Sequence, residues 1–432
     1  MRLTRLSKGA KQKMARRIFA VLFSIVPALV AQQPVSGPAD DHQLVLQLLQ
    51  RVNELEAEVS RLKGAAAGAA TPVAAPAPQA MLPAAPPAPS ATMGSMPNMT
   101  LPDLPGLQFR GFADIGFNDS TMKGAHSTFT EGSGLNLFMT SRLNDQFSVL
   151  AELLFEFPPT NSIGTDLERL EFHYNPSDYL NLTAGRFHSA IGYYNTAYHH
   201  ANWLIPTASR PFLFSFEDQG GPLPTHNVGL SATGAIPSGP LGLHYVAELG
   251  NGRTSHSVSQ AVAEQVQSVQ DENSRKSYNF AFFSRPAAIP GFQTGFSIYH
   301  DRLYPTGLPK IAQSIWDGYA TYHPSGFEFT GEVLEMRHAL IGSPVIFHTP
   351  GFYGIISKDI GAGVKPYFSW EYVNFARNEP LFGTSIGLRH GPSTGIRYDF
   401  TDFAAFKLEY YRLIRRGQLD VNGLRADIAF TF

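Results

Sequence analysis

From Gly106 to its last residue, Phe432, this sequence alternates apolar and polar side chains in runs of about ten, and that pattern restricts the fold more than any other feature. In "LQFRGFADIGF", Leu107, Phe109, Ala113, Ile115 and Phe117 fall on one face of an extended strand, with Gln108, Arg110 and Asp114 on the other. "FSVLAELLFEF" sets Phe147, Val149, Ala151, Leu153, Phe155 and Phe157 against Ser148, Glu152 and Glu156. "LGLHYVAEL" from Leu241, "FAAFKLEYYRL" from Phe403 and "GLRADIAFTF" from Gly423 repeat it. Successive side chains of a strand point to opposite faces. A run of about ten is the length with which a tilted strand crosses the hydrocarbon core of a bilayer.

The punctuation between the runs is also regular. Tight turns ("LNDQ", "NPSD", "IPSGP", "RPAAIPG", "HPSG", "DIGAG", "FTDF") alternate with longer polar or Gly/Pro-containing stretches. This predicts an all-β fold, a transmembrane antiparallel β-barrel of about 16 strands occupying residues 106–432, with short turns at one end and long loops at the other. The stretch from Gly383 to Thr394 reads equally as loop or strand. A soluble sandwich or propeller also strings short strands together. Aromatic residues at strand ends favour the membrane barrel, because interfacial girdles sit there: Phe117, Phe157, Tyr174, Tyr179, Tyr322, Phe327, Trp370, Tyr372, Phe400 and Phe403. The final Phe432 closes an apolar alternate face.

Ahead of the barrel stand three segments of different composition. Arg2, Arg5, Lys8, Lys11, Lys13, Arg16 and Arg17 precede "IFAVLFSIVPALVA", the layout of a secretory signal peptide over residues 1–31. Its removal takes away seven bases and no acid, so the formal net charge of −2 hides a distinctly acidic mature chain, which argues against nucleic acid as a partner. Residues 32–63 contain Val45, Leu48, Val52, Leu55, Val59 and Leu62 at alternating spacings of three and four, the a/d core of a short periplasmic α-helical coiled coil. Arg51 faces Glu56, and Glu58 faces Lys63, across neighbouring helices of such an assembly. Val at a with Leu at d favours two strands. Residues 64–105 form an Ala/Pro-rich linker, extended and semi-rigid. Cys 0 excludes disulfides, thiolate catalysis and cysteine-ligated zinc.

Taken together, signal, coiled coil, tether and barrel resemble the Gram-negative outer-membrane porins of the sixteen-stranded kind, in particular the group whose trimers carry an N-terminal coiled-coil extension. "AGRFHSAIGYYN" (184–195) is similar to the "GRF…FG" segment of phosphate-selective porins, and "RYDFTDFAAFKLEYYR" (397–412) with "ADIAFTF" resembles the last strands of that superfamily. The resemblance implies a homotrimer in the outer membrane lipid, each protomer with its own pore, and a loop after the fifth strand that folds inward and narrows it.

Alternation assigns the lumen its charges. The inward bases are Arg110, Arg169, Arg285, Lys365, Arg397, Lys407 and Arg425; the inward acids are Asp114, Glu152, Glu156, Glu171, Glu248, Asp301, Asp317, Glu328, Glu332, Glu371, Asp399, Glu409 and Asp427. An acidic excess in a narrow aqueous tube concentrates cations, so a mild cation preference is expected and phosphate selectivity is not. Arg397, Lys407, Arg425 and Arg110 stand on strands that become neighbours on closure. They form either a basic wall facing Glu217 and Asp218 of the long loop, or simple pairs, Arg397 with Asp399 and Arg425 with Asp427.

The longest break in alternation runs from His188 to Thr225, too long for an idle connection. Its His199, His200, Trp203, Arg210, Glu217 and Asp218 are the expected constriction-loop residues. His199 and His200 are adjacent and diverge on strand or helix alike, with no "HExxH" arrangement, so neither a metal nor another cofactor is implied. A second insertion, 251–277, spaces Val258, Val262, Val266 and Val269 as a short surface helix would. The function expected is passive diffusion of small hydrophilic solutes or ions. The alternatives are an outer-membrane barrel hydrolase, or a structural tether to the periplasmic layer.

Overall fold

The computed structural model describes residues 106–432 apart from 131, 133, 158–161, 199–201 and 256–267. The expected signal peptide, the coiled-coil seam from Val45 to Leu62 and the linker lie outside the described residues, as do His199, His200 and the centre of the 251–277 insertion.

The alternating runs become the strands of one closed antiparallel sheet: β1 (Gln108–Ser120), β2 (Thr128–Thr130), β3 (Leu135–Arg142), β4 (Phe147–Glu156), β5 (Gly164–Ser177), β6 (Leu180–His188), β7 (His226–Ile236), β8 (Leu243–Gly250), β9 (Ser277–Ser284), β10 (Phe292–Leu303), β11 (Ile311–Tyr322), β12 (Phe327–Leu340), β13 (Ile346–Lys358), β14 (Val364–Asn374), β15 (Leu388–Asp399), β16 (Ala404–Arg415) and β17 (Val421–Thr431). β2 and β3 pair with successive stretches of the same β1 and form one interrupted stave, so the wall has sixteen. β1 closes on β17 from Phe112 opposite Thr431 to Ser120 opposite Gly423. Beyond that ladder, the amides of Gly111 and Phe432 donate to each other's carbonyls at 2.9 and 3.1 Å. Closure removes the unpaired edge that lipid cannot satisfy.

Each predicted tight turn joins two strands at one end of the barrel, and the longer connections gather at the other. The ambiguous 383–394 stretch divides at Leu388, with loop before it and β15 from there on. Outward positions carry Phe109, Ile115, Leu170, Leu230, Phe296, Val333 and Ile428, all exposed and apolar.

Alternation fails locally in two places. Between β4 and β5 the register jumps, Glu152 facing Arg169 while Leu153 faces Leu167. Glu168 is the extra residue of this β-bulge, so Glu168 and Arg169 break strict parity. On β6, Gly185 has φ +133°, and a side chain there would begin 1.9 Å from the Leu170 carbonyl oxygen. This is the glycine of the "GRF" segment, and it explains why Arg186 is not on open lipid. Arg186 is buried, its Nε donating to the Glu168 carbonyl at 3.0 Å and its Nη1 to that of Ser268 at 3.5 Å.

A Gly185→Ala substitution is expected to disrupt the β5–β6 ladder at a cost of about 1–3 kcal/mol. A lowered unfolding midpoint of the purified barrel checks it; an unchanged midpoint contradicts the assigned role of the glycine.

Candidate functional site: a loop folded into the lumen

The 189–225 segment between β6 and β7, after the fifth stave, lies inside the barrel. It carries one short helix, α1 (Tyr194–Ala197), and a single 3-10 turn (Phe212–Phe214). Ile191, Tyr194, Ile205, Leu213, Phe214 and Leu223 of this loop form a buried cluster with wall residues Tyr299, Leu303, Ile311, Ile315, Leu334, Met336, Tyr353, Ile355 and Val373. The apolar set was expected to face lipid. Over β10–β14, however, part of the inward face is apolar as well, because it is covered by the loop rather than by water. Burying such a side chain contributes about 1.5–3 kcal/mol.

A second loop, 375–387, adds Phe375, Leu381 and Phe382 to the cluster. Its Glu379 accepts from the Phe382 amide at 2.6 Å and pairs with His338 Nδ1 at 2.8 Å, while His338 Nε2 meets Gln313 Nε2 at 2.8 Å. The His338 partnership and its hydrogen bonds hold Glu379 below the usual carboxylate range, even though burial pushes it up.

The loop's backbone is irregular, so its amides and carbonyls need partners from elsewhere. The inward charges of the wall supply them. Glu332 on β12 accepts from the amides of Tyr193 at 2.9 Å and Tyr194 at 2.7 Å, and from the Tyr353 hydroxyl. Glu248 on β8 accepts from the Ala190 amide at 3.0 Å and from Asn279 Nδ2 at 2.9 Å. Glu371 on β14 accepts from the Phe212 amide at 2.7 Å, and Glu409 on β16 from the Ser209 hydroxyl at 2.7 Å. The bases take the carbonyls. Arg397 donates through Nη1 to the carbonyls of Trp203 and Ile205 and lies over the Trp203 ring at 4.7 Å. Lys407, fully buried, donates to the carbonyls of Asn202 and Thr207. Gly192, at φ +67°, passes so close to the Glu332 carboxylate that no Cβ fits there.

The sequence-assigned lumen residues distribute as follows. Asp114, Glu152, Glu248, Arg397 and Lys407 are buried; Arg169, Glu328 and Arg425 are partly exposed; Arg110 is open to solvent. Arg169 pairs with Glu152 at 2.5 Å, and Lys365 with Asp399 at 3.2 Å and Glu328 at 3.6 Å. Arg397 pairs with Asp399 at 2.7 Å. Arg425 differs from the expected pairing. It crosses to Glu409 at 3.1 Å, and Asp427 faces Lys407 at 3.7 Å. Asn202 bridges Asp114 and Asp427 through its Nδ2, at 3.2 and 2.9 Å.

Glu217 and Asp218 do not meet the last strands as expected, because the chain is already returning toward β7. Glu217 accepts from the His226 amide and meets its Nδ1 at 3.2 Å. Burial would raise the Glu217 carboxyl, but His226, Arg253 and Thr225 hold it at about 2. Asp218 stands within 4.8 Å of Glu156 and Asp166. Burial, then the charges of Glu217 and Glu168, push its carboxyl up to about 6.

Three cavities remain beside the loop. One of about 350 Å³ opens among the outer ends of β14–β17, lined by Thr207, Ser209, Arg210, Glu371, Arg389, Ser393, Tyr411, Arg415 and Arg425. A second, about 500 Å³, reaches deeper along β1 and β17 to Asp114 and Asp427. The third, about 880 Å³, lies on the β6–β11 side between Glu171, Thr183, Ser231, Glu248, Arg285 and Tyr319. Arg389 and Arg415 had gone unassigned. Extending β16 parity two residues past Leu413 reaches Arg415; Arg389 sits in the ambiguous 383–394 stretch.

No protein-family model matches the chain, and no curated protein matches it in sequence. Solved structures do match. The outer membrane channel DcaP of Acinetobacter baumannii is 11% identical at TM-score 0.55, over 76% of this chain and 97% of that one. An anion-selective porin from Comamonas acidovorans is 12% identical at 0.54, over 76% and 99%. The fold is that of the outer-membrane porins. Salmonella typhi OmpF, in complex with Daunomycin, also shares this porin fold, 12% identical at 0.52, over 76% and 97%.

Replacing Glu332 with Ala strands the Tyr193 and Tyr194 amides, at about 1–3 kcal/mol per unsatisfied group. Hydrogen exchange is expected to quicken across residues 190–198 while the wall amides stay protected; equal protection in both proteins refutes the anchor. For Asp218 the folded value lies above that of a free aspartate. The stability of its neutral form is therefore fully present below the ordinary aspartate range and lost as pH rises through about 6. Asp218→Asn should match the wild-type melting temperature near pH 4 and exceed it at pH 8, and a constant difference across that range counts against the assignment.

Proposed function

We propose that the protein is an outer-membrane porin through which small hydrophilic solutes and ions diffuse passively, with the 189–225 loop as the constriction. The observation that carries this reading is a closed sixteen-stave barrel whose infolded loop leaves cavities of about 350, 500 and 880 Å³ beside it, each with charged side chains in its wall. A loop meant only to plug the barrel would have every face of its backbone covered. Here the apolar face is packed on β10–β14, and the opposite side borders open space along β1 and β17 and at the outer ends of β14–β16. The similar structures named above, an outer membrane channel and an anion-selective porin, agree with it.

The remaining assignments belong to the same proposal. Residues 1–31 direct export, 32–63 join protomers by a periplasmic coiled coil, and 64–105 tether it to the barrel at 106–432. The assembly is a homo-oligomer, a trimer by resemblance, in the outer membrane. Trp203 and Arg210, with His199 and His200, belong to the narrowing loop, and Arg110, Asp114, Glu152, Arg169, Glu248, Glu328, Arg397, Lys407 and Arg425 to the wall around it. The expected cation preference rested on counting inward acids, and most of those acids are buried against loop backbone or paired with bases. An acid so engaged contributes little to the field felt by a passing ion, so the count no longer supports that preference.

Planar-bilayer recording of the purified full-length protein tests the reading. Discrete openings in groups of three are expected. A complete absence of conductance overturns the porin and leaves the barrel hydrolase or the tether.

A further inference from the structure

The wall charges described so far are nearly all matched, acid to amide and base to carbonyl or acid. The outer cavity of about 350 Å³ differs in holding a surplus of bases. Five guanidinium groups line it, Arg210 from the loop, Arg389 from β15, Arg412 and Arg415 from β16 and Arg425 from β17, with Glu371 as its one lining carboxylate among the described residues. Glu371 is already engaged by the Phe212 amide and by Arg389 Nε at 3.4 Å. Arg425 holds Glu409, which is fully buried. Arg412, at the rim, is paired with Asp420.

Arg415 has no carboxylate partner among the described residues, and Arg210 makes no ion pair there, although Glu168, Glu217 and Asp218 lie close enough to act on its charge. Arg210 Nε and Nη2 and Arg415 Nε are out of solvent without an acceptor. The register makes the arrangement more costly, because Arg389 and Arg415 stand directly opposite each other on adjacent strands, on the inward face. Like charges directly opposed across a ladder destabilise it, and a buried donor left unbonded costs more than a hydrogen bond gains. Three of the five guanidiniums lie over rings: Arg210 over Phe216 at 3.6 Å, Arg389 over Phe212 at 3.9 Å and Arg425 over Tyr411 at 4.1 Å. Stacking fixes the plane of the fork and leaves its edge for a planar oxyanion.

The same residues stand where the cavities meet. Asn118, Ser209, Arg210 and Arg425 line both the outer cavity and the deeper one of about 500 Å³. A solute moving from one to the other passes two guanidiniums.

We propose that this arginine-lined cavity binds small oxyanions, the terminal carboxylate or phosphate of a solute, and selects for them on the way through the barrel. The inference deepens the porin reading and, as a selective route, rests on it. The bound anion offsets the opposed charges of Arg389 and Arg415, and Arg210 at the neck hands it inward. Uncompensated positive charge in a narrow, low-dielectric mouth raises the local anion concentration.

Two measurements on the full-length protein separate this proposal from the porin reading. In a bilayer with a KCl gradient, the wild type is expected to reverse on the anion-selective side. Arg415→Gln and Arg210→Gln should each lower the anion-to-cation permeability ratio severalfold, and Arg415→Lys should restore most of it. Cation selectivity of the wild type, or an unchanged ratio in both Gln variants, overturns the proposal while leaving the porin standing. In detergent, calorimetric titration with succinate and separately with inorganic phosphate reads binding without conduction. Heat that appears with either anion in the wild type and is lost in Arg415→Gln supports the site, and the stronger of the two identifies the group recognised. No binding of either anion overturns it. Arginine-dependent binding in a protein that never conducts overturns the porin reading alone.

Discussion

A polypeptide inside a barrel faces the same constraint as one inside a bilayer: backbone amides and carbonyls removed from water must find partners in the protein. The wall meets the constraint by closing β1 on β17, so that every stave has two neighbours. The 189–225 loop is too irregular to meet it internally and meets it through wall side chains instead. Glu248, Glu332, Glu371 and Glu409 accept from the loop, and Arg397 and Lys407 donate to it. The exchange also relieves the wall, since a carboxylate or ammonium buried without hydrogen bonds is far costlier than one that has them. Loop and lumen charges are therefore parts of one solution, and neither would be stable in this arrangement alone.

This dependence explains why the barrel was legible in the sequence and the lumen only partly so. Alternation, turn spacing and strand length are local properties imposed by lipid on one face, and they gave the strand number, the order of short and long connections and the inward parity of residues such as Asp114 and Lys407. Nothing local distinguishes an inward acid that meets water from one that meets a loop amide far away in sequence. Glu332 and Glu328 look alike on β12, yet the first is buried under Tyr193 and Tyr194 and the second is partly exposed beside Lys365. Counting charges by parity therefore found the residues and misjudged what they do. The apolar inward patch of Tyr299, Ile315 and Met336 was invisible for the same reason, since its cover comes from another part of the chain.

Departures from strict period two mark where the chain does something besides span. The bulge at Glu168 gives the wall an additional buried acid, which meets His226 Nε2 at 2.6 Å at the point where the loop rejoins β7. Gly185 lets β6 turn its last residues into the loop. Both lie in or opposite the stretch "GRFHSAIGYYNTAYHHANW", whose histidines first suggest a metal centre. In place, His188 stands 5.4 Å from the His226 ring and 3.8 Å from Glu152, joining the acids at the loop's root. Of the aromatic residues that follow, Tyr193 and Tyr194 each meet Tyr198 edge to face, and Tyr194 meets Tyr353 of the far wall in the same way. The segment's composition reflects a loop that must be stiff and apolar on one side.

The loop also divides the lumen electrically. Where it packs on β10–β14, wall acids such as Glu332 are buried under it and hydrogen-bonded to its amides. At the outer ends of β15–β17, where the loop leaves a cavity, Arg415 has no carboxylate partner among the described residues and stands opposite Arg389, whose Nε is held by Glu371. Stability alone would favour replacing Arg415 with an uncharged residue, because a neutral side chain there removes the repulsion with Arg389 and an unbonded donor together. Local sequence choices that oppose stability are characteristic of places where a protein meets its ligand. Such an excess confined to the open side is what separates a lumen that is merely filled from one that is arranged around something passing through it.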